Sequence, residues 1–71
     1  MTIVATPAAR TWIAHLTKVN RPANAAAAIA YVTGIVNKTI LAEGPVVIAA
    51  AQEVLDMNPT DQAAWVAALG L

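Results

Sequence analysis

The sequence predicts an all-α fold, a small bundle of about four short helices behind an apolar N-terminal arm. Helix-start signals stand at Thr6-Pro7 and Asn58-Pro59, and Asn24 precedes a run of four alanines. Between these signals the apolar residues recur with a period near 3.6. The breaks are short and rich in Asn, Gly and Pro, as at Asn20-Arg21-Pro22 and Glu43-Gly44-Pro45.

Residues 1–5, MTIVA, form the arm. Thr2, Ile3 and Val4 are β-branched, but the stretch is too brief for an independent strand. It must pack on its own helices or reach a neighbouring subunit. A first helix is expected at about 7–19, with Thr6 as N-cap and Pro7 at N1. Ala8, Ala9, Trp12, Ile13, Leu16 and Val19 share one face, read as the inward one, and Arg10, Ala14, Thr17 and Lys18 lie opposite. Asn20 is expected to take the left-handed position that ends the helix, with Pro22 preventing its extension.

The second helix, expected at about 24–42, reads as the longest and as the centre of the chain. Asn24 caps it, and Gly44 before Pro45 is expected to close it in the left-handed conformation. Ile29, Val32, Val36 and Ile40 make a core stripe with Ile35 at its edge. Ala26, Ala30 and Gly34 form a second lane that runs on to Leu41, and Tyr31 with Ala42 covers much of what is left. A helix apolar on so many sides is normally covered all round, by its own chain, by lipid or by neighbouring subunits.

A third helix at about 45–57 carries Val47, Ala50, Ala51, Val54 and Leu55 inward and Gln52, Glu53 and Asp56 on a polar arc. The fourth, at about 59–69, starts from Asn58 as N-cap and Pro59 at N1, with Asp61 beside the positive end of the helix dipole. Trp65, Ala68 and Leu69 are its expected contacts, and Gly70-Leu71 is a short apolar end. The whole of 1–71 is expected to form a single domain.

Composition narrows the function classes. Hydrophobic residues make up 59% and charged residues 11%, against usual shares of about 45–50% and about 25%. At 71 residues a single core gives a narrow margin over conformational entropy, and without Cys neither disulfides nor thiolate metal sites can add to it. Oligomerisation is then the common route to stability. Four basic and four acidic residues balance to zero net charge, which offers no basic patch for phosphates and little repulsion against association.

No cationic stretch precedes an apolar one at the N-terminus, so no secretory signal is read, and the expected setting is the cytoplasm or a virion. The longest uncharged run, Pro22 to Asn37, falls short of the roughly 20 apolar residues a membrane span needs. Extending it to Ala42 would bury Lys38 in the bilayer, at about 2.5–3.5 kcal/mol near its centre.

No catalytic set is legible. His15 has no acidic or imidazole partner within a turn. Glu53 and Asp56 at i, i+3 read as a solvated pair, and the chain has no Ser, no Cys and no phosphate-cradling glycine loop. Neither enzyme activity nor a cofactor or metal is expected. Trp12 and Trp65 read as core anchors, and Tyr31 is placed equally well in the core or at an interface.

The surface expected to meet a partner comprises Ile3, Val4, Ala30, Tyr31, Gly34, Leu41 and Leu71. The expected function is that of a non-enzymatic structural or assembly subunit bound by other protein chains, copies of itself or others, of the kind found as cement or connector components of phage and virus particles. Two other classes fit the composition less well: a small membrane-active helical protein of holin or bacteriocin type, and a module that takes a partner helix into the Ala30 and Gly34 lane.

Overall fold

Local capping determines where the four helices start, and the computed structural model places them as α1 Pro7–Val19, α2 Ala25–Val36, α3 Pro45–Asp56 and α4 Pro59–Ala68. It describes residues 3–39 and 43–70; among these the secondary structure is helical, without strands. Ile40, Leu41, Ala42 and Leu71, together with Met1 and Thr2, lie outside the described residues.

Three of the four starts use a side-chain oxygen to satisfy a first-turn amide that has no intrahelical acceptor. The Ala9 amide donates to Thr6 Oγ1 at 3.1 Å, and that of Ala27 to Asn24 Oδ1 at 2.8 Å. At α4 the bond is doubled. The Asp61 amide donates to Asn58 Oδ1 at 2.8 Å, while Asn58 Nδ2 donates to Asp61 Oδ2 at 3.1 Å. The start of α3 has no such bond and relies on Pro45, whose missing N–H is one of the orphans in any case.

The helix ends depart from expectation. α2 has 12 residues against 13 in α1, so it is not the longest element. It stops because Lys38 turns left-handed at φ 59. The Thr39 amide then donates to Gly34 O at 2.9 Å and that of Lys38 to Ile35 O at 3.2 Å, the paired bonds of a Schellman close. Gly44, expected in that role, has φ −70 and serves as the N-cap of α3. At the end of α1 Arg21, not Asn20, takes the left-handed position, with φ 52 against −67 for Asn20. Gly70 at φ 74 ends α4 in the usual glycine manner.

α2 and α3 each pack against all three other helices; their mutual pairing is the most extensive, and of the two α3 makes the larger contact with α1. The core joins Ala5 and the α1 residues Ala9 and Ile13 to Val32 and Ile35 of α2 and to Ala50, Ala51 and Val54 of α3. Half of these eight are alanine, so the helices approach closely and Ile13, Val32 and Ile35 supply most of the volume. Burying each such side chain contributes about 1.5–3 kcal/mol. Gln62 fastens α4 by donating from Nε2 to the carbonyls of Val54 at 3.1 Å and Leu55 at 3.2 Å in the last turn of α3, where Val54 O also accepts from the Met57 amide at 3.3 Å. The radius of gyration is 11.1 Å, close to the roughly 11 Å of a globular chain this long.

The inward face of α1 is rotated from its expected setting. Ala9, Ile13 and Thr17 are buried and Leu16 is half-buried, whereas Ala8, Trp12 and Val19 are exposed. Thr17, assigned to the polar side, is 0% exposed and donates from Oγ1 to Ile13 O at 2.8 Å. That local bond satisfies the hydroxyl and leaves its methyl group to the core. On α2, Ala28, Val32 and Ile35 face inward while Ala25, Ala26 and Ala30 are exposed, so the rest of this chain does not cover the helix all round. No residue within α4 is fully buried: Trp65 is half-buried and Ala68 exposed, while Leu69, the C-cap that follows the helix, is buried.

Candidate functional site

A helix that turns Ala9, Ile13 and Thr17 inward must carry Ala8, Trp12, His15 and Val19 on its outer flank, at successive steps of four, three and four residues. All four are exposed. Trp12 keeps 44% of its surface accessible and Val19 62%, and the Trp12 and His15 rings stack with centroids 5.6 Å apart at 24°. Just before the helix Ile3 and Val4 are exposed at 48% and 69%. Large apolar groups in water are ordinary one at a time, but an aligned row of them marks an interaction surface.

The other flank of α1 carries Arg10. Its guanidinium forks onto Glu53 of α3, with Nε to Oε1 at 2.9 Å and Nη2 to Oε2 at 3.1 Å. This corrects the reading of Glu53 and Asp56 as a solvated pair, since Glu53 is bidentately paired and Asp56 accepts from Gln52 Nε2 at 2.9 Å. The hydrogen bond from Arg10 holds the Glu53 carboxyl below the usual carboxylate range, and Glu53 in turn raises the Arg10 pKa.

A folded-state pKa that is lowered contributes stability that is present near neutral pH and lost as pH falls through the folded pKa. In circular dichroism melts, Glu53→Gln is therefore expected to melt slightly below wild type at pH about 7 and alongside it at pH about 2–3. The difference is small because both side chains are about half exposed. Equal separation of the two melts at both pH values would contradict the pairing.

Beneath the Arg10–Glu53 pair lies a groove of about 420 Å³ walled by Ile13, Ala50, Val54, Met57 and Trp65. A second apolar hollow, of about 430 Å³, separates the start of α2 at Ala26 and Ile29 from Gln62 and Val66 of α4. A third, of about 390 Å³, lies between Ile3 and the Ile48 and Ala49 segment of α3, with Lys38 and Glu43 at its edge. None holds the convergent polar groups that fix a small ligand or a reacting atom. Among the described residues no three of His, Cys, Asp and Glu are placed to share a metal ion, and no buried side-chain N or O lacks a hydrogen-bond partner.

The residues expected at an interface are dispersed. Ile3 and Val4 are exposed, Ala30 is exposed on α2, Tyr31 is half-buried against the core, and Gly34 is buried. Leu41 and Leu71 fall outside the described residues. Burial first, and then the Glu43 carboxylate, push the Tyr31 phenol up. Sequence reasoning missed the outer flank of α1 because it assigned Trp12 and Val19 to the core. The 4-3-4 spacing was legible, but a second stripe, Ala9, Ile13 and Leu16, competes for the same face assignment. Arg10 and Glu53 stand 43 residues apart, so no local pattern announces their pairing.

Comparison with known protein families, curated proteins and solved structures gives no match to this chain.

Proposed function

We propose that this protein is a non-enzymatic structural or assembly subunit, whose work is the covering of its apolar surface by other protein chains. The observation that carries the reading is the row of exposed large side chains on and before α1, Val4, Trp12 and Val19 above all, in a chain only 11% charged. Such a row costs solubility unless something binds it. An accessory place in a phage or virus particle, as cement or connector, belongs to this proposal as an analogy of type.

The membrane-active alternative is weighed by the same experiment. No helix among the described residues is long and apolar enough to cross a bilayer, though an interfacial helix needs no such length. The protein is sedimented with and without vesicles of mixed neutral and anionic phospholipid, with circular dichroism alongside. A helical protein that stays in the supernatant with lipid supports the subunit reading. Stable pelleting on vesicles in the absence of any other protein overturns it.

A further inference from the structure

We draw no further inference here: the strongest candidate, the exposed apolar flank of α1 that carries Ala8, Trp12, His15 and Val19, is an unpartnered helix face, and nothing in the structure shows what covers it.

Discussion

Ile35→Ala is expected to lower stability by about 2–5 kcal/mol. Ile35 is 0% exposed and sits in the cluster with Ile13, Val32 and Val54, the largest side chains of the core. Removing its outer carbons leaves a void, and the cost depends on how far the neighbours can collapse into it. Here they collapse poorly. Ala9, Ala50 and Ala51 share the cluster, and alanine has no side-chain rotamers to move into the space. A domain of 71 residues has about 4–11 kcal/mol in total, so the variant should be partly unfolded at room temperature or melt far below wild type. Guanidinium titration followed by circular dichroism measures the loss. Trp12→Ala is the contrast: it removes a larger side chain from a half-exposed site and should cost less. If it costs more than Ile35→Ala, the orientation of α1 is wrong.

The second large effect is expected from adding volume. Ala51→Leu places a branched side chain at a position of α3 that is 0% exposed, on an element packed against all three other helices and most extensively against α2. Overpacking of a tight core costs about 1–3 kcal/mol through forced rotamers and backbone shifts. The upper end applies here, because alanine-mediated helix contacts leave little space for the backbones to part without losing neighbouring contacts. The same substitution at Ala30 or Ala63, both exposed, should be close to neutral. The denaturation midpoint should fall for Ala51→Leu with the slope unchanged. A midpoint equal to that of Ala30→Leu would mean that α2 and α3 are not in close contact at this level.

These two predictions rest on different parts of what the sequence disclosed. Ala50, Ala51 and Val54 were legible as the inward face of α3, because Gln52, Glu53 and Asp56 occupy a compact polar arc that leaves a single choice of core face. α1 offered two choices. Its flanks Ala8-Trp12-Val19 and Ala9-Ile13-Leu16 are both apolar, and size alone favoured burying the tryptophan. Thr17 decides against that rotation, since its hydroxyl is satisfied within the helix by Ile13 O and the residue can be buried without an orphaned polar group. Of the residues expected at an interface, Ile3, Val4 and Ala30 are exposed, and the exposure of Trp12 and Val19 follows from the rotation of α1.

By itself the sequence determined that the chain is helical, how many helices there are, and where each starts. The starts at Thr6, Asn24 and Asn58 are decided by bonds that reach three residues forward, and no distant contact is needed to make them. Only the tertiary structure decided which flank of α1 meets water and that Arg10 holds Glu53. Burial is a property of pairs of surfaces, and a sequence read locally contains one member of each pair.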